Sequence, residues 1–266
     1  MMKFFKKAAV VTLSVAMVTT LFAGCSSKKK DDKTWVIGTN AEFAPFEYVS
    51  KKDAVINDYA GIDIEIIKKI AEDNGKKIKI NNMEFDSLIV ALKNKQVDGV
   101  IAGMTVTDER KEEVDFSEPY YVAKQVMIVK EDNTDIKTAK DMEKKTIAVI
   151  QGFTGEVAVK ELGYKYEAFK KGTEAIQELN NGKCDVVVID SATANQYVKD
   201  NKGLKIVEDD EAFASEEYAI AVQKGDKKTL EKINASIKKF KEDGTIDTIS
   251  AKYASSSDSD SDTEDK

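Results

Sequence analysis

From residue 34 onward, the chain alternates short apolar runs with longer runs whose apolar residues recur every three or four positions. The short runs predict buried strands at 34–39, 77–83, 97–103, 125–130, 146–151, 185–189 and 218–223. The longer runs predict amphipathic helices that begin near residues 62, 87, 154, 173, 191, 229 and 245. Strands that alternate with helices indicate a layered α/β architecture.

The strand predicted at 97–103 ends in small residues, and Thr105, Thr107 and Arg110 follow it. Arg110 is the only arginine in a chain that otherwise uses lysine. A planar guanidinium matches a carboxylate with two parallel hydrogen bonds, and ligands of open α/β sheets bind beyond the carboxyl ends of strands. We therefore expect Arg110 to bind a carboxylate. The alternative is an exposed charge within the polar run 108–113.

Two further strand ends carry candidate ligand groups. Gly152, Phe153, Thr154 and Gly155 lead from a strand into a helix, and the free N–H groups of such a turn can bind an anion. A phosphate loop would need a Lys-Ser/Thr pair that this turn lacks, whereas a carboxylate fits. Asp190 follows the strand 185–189, where it either caps the next helix or faces a ligand ammonium group.

Composition excludes several classes of function. The 266 residues contain no histidine, which excludes serine or cysteine catalysis through histidine and every histidine metal site. The net charge is −7 and no basic stripe is present, so nucleic acid is not an expected partner.

Residues 99–121 carry a resemblance to a known family. Thr105, Thr107 and Arg110, followed by Phe-Ser-x-Pro-Tyr at 116–120, resemble the signature of the amino-acid-binding proteins of ABC importers. Residues 38–46 and the segment 151–154 are also similar to that family. The resemblance implies a two-lobed α/β periplasmic-binding-protein fold, with two hinge strands and a ligand cleft between the lobes. Lobe one would span 34–122 plus 218–253, and lobe two 126–214.

The resemblance also implies roles for individual residues. The ligand carboxylate would contact Arg110, Thr105 and Thr154, and the amino group would contact Asp190 and Gly103. The remaining set would surround the ligand side chain: Asn40, Glu42, Phe43 and Phe85. The implied function is capture of a free polar L-amino acid by lobe closure, as a monomer without cofactor, and delivery to a membrane permease.

The two ends of the chain predict processing and disorder. Residues 1–24 resemble an export signal whose Phe-Ala-Gly-Cys end is similar to a bacterial lipobox, so Cys25 would be acylated and residues 25–33 would form a tether. This implies a lipoprotein anchored on the extracytoplasmic face of a bacterial membrane. The alternative is an ordinary signal peptide with an incidental Cys25. Residues 254–266 contain almost no apolar side chain and predict a disordered acidic tail.

Two other functions compete with transport. The first is a dehydratase-like enzyme on the same fold, for which Glu42 is the only candidate acid. The second is a sensor module that binds an amino acid and signals. Family members selective for cationic side chains often have Asp where Asn40 stands, which argues against a strong lysine or arginine preference. Glu42 could supply a negative charge instead, if it points inward.

Overall fold

Two separate sheets divide the described part of the chain into two lobes. The computed structural model describes residues 33–256, so Cys25, the predicted signal and most of the acidic tail lie outside it. The strands are β1 Thr34–Thr39, β2 Glu42–Phe43, β3 Glu47–Val49, β4 Tyr59–Ala60, β5 Lys77–Asn82, β6 Gly99–Val100, β7 Val114–Phe116, β8 Tyr121–Lys130, β9 Ile147–Ile150, β10 Tyr166–Phe169, β11 Val186–Asp190, β12 Leu204–Val207, β13 Ser215–Tyr218 and β14 Ala221–Gln223. The α-helices are α1 Ile62–Asp73, α2 Leu88–Lys93, α3 Asp108–Glu113, α4 Thr154–Glu161, α5 Gly172–Asn180, α6 Ser191–Asp200, α7 Lys227–Glu242 and α8 Thr245–Ser256.

Each lobe is built on one open sheet. The first sheet has the order β5-β1-β6-β14-β7, and β1 is parallel to both of its neighbours. The second sheet has the order β10-β9-β11-β8-β12, with β9 parallel to β10 and β11. A small third sheet, β2-β3-β4, lies beside the first. The α/β class and the two-lobed fold predicted from the sequence are confirmed.

Two antiparallel strands connect the lobes. Strand β8 begins beside the first sheet and ends in the second, and β13 pairs with its first half from Tyr121↔Tyr218 to Lys124↔Ser215. The paired residues are 121–124 of β8 and 215–218 of β13. Because both crossings lie side by side, they can act as one hinge.

Apolar stripes hold the helices on their sheets. The predicted inner face of α1 is buried, and its members are Ile62, Ile66, Ile67, Ile70 and Ala71. Phe46 is fully buried in the core. No helix within residues 33–256 is long and apolar enough to cross a membrane.

The structure corrects four predicted boundaries. Ladder pairing in the strand expected at 97–103 covers only Gly99–Val100, because the chain turns away afterwards. The strand expected at 218–223 is two strands, β13 and β14, that pair with different partners. The helix expected to begin near 87 begins at Leu88, because a 3-10 turn at Phe85–Ser87 precedes it. Helix α8 continues to Ser256, past the expected start of the tail at 254, and Tyr253 is buried within it.

Candidate ligand-binding site

Arg110 lies at the cleft, and Thr107 sets its backbone position. Thr107 is the N-cap of α3, and its hydroxyl accepts a 3.2 Å hydrogen bond from the Arg110 N–H. The guanidinium donates to the Thr105 carbonyl of lobe one at 2.7 Å and to the Gly152 carbonyl of lobe two at 2.9 Å. The second of these bonds joins the lobes, and the three remaining N–H donors of the guanidinium can serve a ligand.

Thr105 and Thr154 meet across the cleft, as the sequence predicts for two groups of one site. Their hydroxyl oxygens are 3.5 Å apart, although the residues come from different lobes. Both hydroxyls also contact a residue that we did not single out, Glu216 of β13, at 2.8 Å and 2.6 Å respectively. Gln125 of β8 donates to Thr154 at 3.1 Å. Both hinge strands thus contribute side chains to the base of the cleft.

Asp190 ends β11 and is buried at the cleft. It occupies the N-cap position of α6, but its side chain makes no capping hydrogen bond. Its carboxylate instead accepts a hydrogen bond from the Tyr218 hydroxyl. Burial, and then the charge of Glu216, raises the pKa of Asp190 to about 7. The capping alternative is therefore wrong for this side chain, and a carboxylate without a basic hydrogen-bond partner lines the site.

Gly103 is held by a buried acid from α1. Its N–H donates to Asp63 Oδ2 at 2.7 Å, and the Tyr120 hydroxyl donates to the same oxygen at 2.8 Å. Gly103 has φ +52°, and a Cβ there would lie 2.5 Å from the Phe43 ring. Burial raises the pKa of Asp63 to about 6. Asp63 therefore has a structural role, because it fixes the turn at Gly103.

A third aromatic ring separates the two that were expected to flank a ligand side chain. Phe153 makes an edge contact with Phe43 at 5.3 Å between centroids and a tilted contact with Phe85 at 4.6 Å. Phe43 also stacks on Phe46, and the Arg110 guanidinium lies 5.2 Å from the centre of the Phe85 ring. The slot between Phe43 and Phe85 is therefore filled by the protein's own ring.

The two polar residues expected beside the ligand side chain both have protein partners. The Asn40 amide donates to the Met83 carbonyl at 3.0 Å. Glu42 forms a 2.5 Å ion pair with Lys171 of lobe two. This pair bridges the lobes at the cleft and neutralises the charge that Glu42 could offer to a cationic ligand.

Two small cavities mark the site in this closed conformation. Each has a volume of about 10 Å³, which is no more than a single water molecule needs. The first is lined by Phe85, Gly103, Thr105, Arg110, Phe153, Thr154 and Asp190. The second is lined by Asn40, Glu42, Phe43, Ile150, Phe153, Lys170, Lys171, Gly172, Ile189 and Tyr197. Every predicted site residue of the described chain lines one of the two, and a ligand can enter only if the lobes part.

The predicted ligand contacts did not include several side chains that line or support this site, among them those of Phe153, Lys171, Gln125 and Glu216. Glu216 carried a usable signal, because alternate residues of a strand share a face and the aromatic Tyr218, two residues further on, begins the predicted strand 218–223. Among the described residues, no group of three or more acidic, cysteine or histidine side chains could hold a metal ion.

Comparisons with known proteins agree with this geometry. The family model described as bacterial extracellular solute-binding proteins, family 3, matches residues 35–256. A probable histidine-binding protein of Neisseria gonorrhoeae is 34% identical over 258 residues, covering 91% of this chain and 94% of that protein. The arginine-binding extracellular protein ArtP of Bacillus subtilis is 32% identical over 252 residues, covering 92% and 96%. A solved structure, an ancestral arginine-binding protein bound to glutamine, has a TM-score of 0.77 and 42% identity, covering 84% of this chain and 99% of that one.

Proposed function

Because the chain belongs to the bacterial extracellular solute-binding proteins of family 3, we propose that it captures one free polar amino acid between its lobes and delivers it to an ABC transporter permease. The observation that carries this proposal is the meeting of Arg110, Thr105, Thr154 and Asp190 around one cleft. The relatives named above are binding proteins, which supports binding of an unchanged ligand over dehydration.

The arrangement can recognise both charged ends of an amino acid. Arg110 would bind the carboxylate through its remaining N–H groups. Thr154 opens α4, so its main-chain N–H has no acceptor within the helix and can join Arg110. Thr105 would offer its own main-chain N–H from lobe one. On the opposite side, the Asp190 carboxylate and the Gly103 carbonyl would accept hydrogen bonds from the ammonium group.

The second cavity would take the ligand side chain once Phe153 moves aside. Its charged residues are Glu42, Lys170 and Lys171, and Glu42 is already paired with Lys171. The surplus charge is positive, so a cationic side chain would be repelled. We therefore propose that the ligand has an uncharged polar side chain between Phe43 and Phe85, with Asn40 beside it.

Closure would be the signal that the permease reads. The lobes are joined here through Arg110 and Gly152, through Thr105 and Thr154, and through the Glu42–Lys171 ion pair. A ligand that contacts both lobes would stabilise this closed form over an open one. The closed protein would then dock on the permease as a monomer.

A calorimetric titration with each of the twenty amino acids tests this function. We expect saturable binding of at least one uncharged polar amino acid and weaker binding of arginine and lysine. Recovery of the ligand after incubation, measured by mass spectrometry, should return it unchanged. Binding of none would reject the proposal, and preference for arginine would reject the assignment of ligand charge.

Membrane attachment through Cys25 is a separate proposal, supported by the basic, apolar and small-residue pattern that precedes this residue. Cys25 lies outside the described residues. Cys25→Ala is expected to release the protein from membranes of the native host, as followed by cell fractionation. An intact mass showing unmodified Cys25 at the membrane would contradict acylation.

A further inference from the structure

Glu216 lies at the base of the cleft on β13, which joins the second sheet only by pairing with the first half of β8. In β13 it pairs with Ala123 of β8, so it stands on the hinge itself. It is partly buried, while its neighbour Glu217 is exposed on the other side of the strand. Alternate residues of a strand share a face, so Glu216 faces the cleft together with buried Tyr218.

One oxygen of Glu216 collects hydrogen bonds from both lobes and from the hinge. Oε2 accepts from Thr105 at 2.8 Å, from Thr154 at 2.6 Å and from the Gln125 amide at 3.4 Å. All three donors are buried. The charge of Glu216 also acts on the site: it adds to the effect of burial in raising the pKa of Asp190, and it partly opposes the lowering of the Arg110 pKa by burial.

The direction of these bonds decides what the two threonines can do for a ligand. A hydroxyl has one proton and two lone pairs, whereas a carboxylate only accepts. With both protons donated to Glu216, neither hydroxyl has a proton left for a ligand carboxylate. Thr105 keeps lone pairs that can accept, and Thr154 keeps one besides the lone pair that accepts from Gln125. Such an oxygen can accept from an ammonium group but cannot donate to a carboxylate.

We propose that Glu216 is a positioning residue that orients the hydroxyls of Thr105 and Thr154 as acceptors for the ligand's ammonium group. This inference rests on the proposed amino-acid function. It assigns the ammonium a second set of acceptors beside Asp190 and leaves the carboxylate to Arg110 and main-chain N–H groups. The hinge thereby helps to distinguish an amino acid from a carboxylic acid of the same shape.

The test compares Glu216→Gln with Glu217→Gln, a matched change one residue away on the exposed face. Each variant is titrated calorimetrically with the best amino-acid ligand and with the same compound lacking its amino group. We expect Glu216→Gln to weaken binding of the amino acid roughly tenfold, because a neutral amide orients the two threonine hydroxyls less strongly than the carboxylate does. Binding of the des-amino compound should change little. Glu217→Gln should change neither.

A second readout separates positioning from mere support of the fold. Glu216 raises the pKa of Asp190, so Glu216→Gln should move the midpoint of the pH dependence of binding to lower pH. Equal loss for both compounds, or no loss for either, would overturn the proposal. If the variant melts at a lower temperature, the comparison uses the ratio of its affinities for the amino acid and the des-amino compound. Partial unfolding lowers both affinities by the same factor and leaves this ratio unchanged. Absence of amino-acid binding by the unmodified protein would instead reject the proposed function.

Discussion

The raised pKa of Asp190 predicts that the affinity for the ligand depends steeply on pH. Burial and the charge of Glu216 raise its pKa to about 7 in the unliganded protein. A ligand ammonium group beside Asp190 would favour the ionised form and lower that pKa. Binding therefore releases a proton at acidic pH. At pH 5 only about 1% of Asp190 is ionised before binding, so affinity should be roughly 100-fold lower than at pH 8, or about 3 kcal/mol.

The unliganded protein should show the opposite dependence in its stability. A carboxyl whose pKa is raised on folding contributes stability below its unfolded value of 3.8, and this contribution is lost as pH rises toward about 7. Between pH 5 and pH 8 the loss from Asp190 is about 3 kcal/mol, to which Asp63 adds a smaller loss of the same sign because its pKa is about 6.

Calorimetry and denaturant unfolding at half-unit steps from pH 5 to pH 8 measure both effects. Asp190→Asn should bind weakly, and most of both pH dependences should disappear. Asp200→Asn removes the same charge from the exposed end of α6 and serves as the matched control. An affinity that is constant between pH 5 and pH 8 in the unmodified protein would refute the role of Asp190.

Three further predictions concern the slot, the turn and the tail. Phe153→Ala should raise affinity for amino acids with large side chains relative to small ones, because the ring fills the slot; an unchanged ratio would contradict this. Gly103→Ala should weaken binding by on the order of 1–2 kcal/mol, since φ +52° and the Phe43 ring both oppose a Cβ. Deletion of 257–266 should leave affinity and melting temperature unchanged, and a drop of several degrees would show that the tail docks.

The residues that the sequence proposes for the site stand at strand ends. Thr154 and Asp190 follow the parallel strands β9 and β11, whose ends lie at the same sheet edge. Thr105 and Arg110 follow β6 of the other sheet, and only the contact between the lobes brings them to the same cavity. The strand and helix order was also readable, because hydrophobic periodicity reports which face is buried. Boundaries such as the division of 218–223 depend on which partner strand lies alongside, and local pattern does not contain that information.

Contacts between lobes could not be predicted in the same way. Phe153 stands in a turn whose glycines and threonine indicate an anion site, and only closure brings its ring between Phe43 and Phe85. Lys171 is one of many lysines, and its pairing with Glu42 depends on a separation of 129 residues along the chain. Such pairings are set by tertiary geometry, and the periodicity of the sequence does not report them.

Arg110→Ala tests the central claim most directly, because the guanidinium is the chain's only fork for a carboxylate. Loss of a desolvated bidentate partner should cost on the order of 2–5 kcal/mol of binding. Arg110→Lys should remain clearly impaired, since an ammonium lacks the fork. Lys111→Ala, which removes an adjacent exposed charge, should bind normally. We expect calorimetry to show this loss while the folded structure, judged by circular dichroism, is retained. Normal affinity in Arg110→Ala would contradict the proposed site.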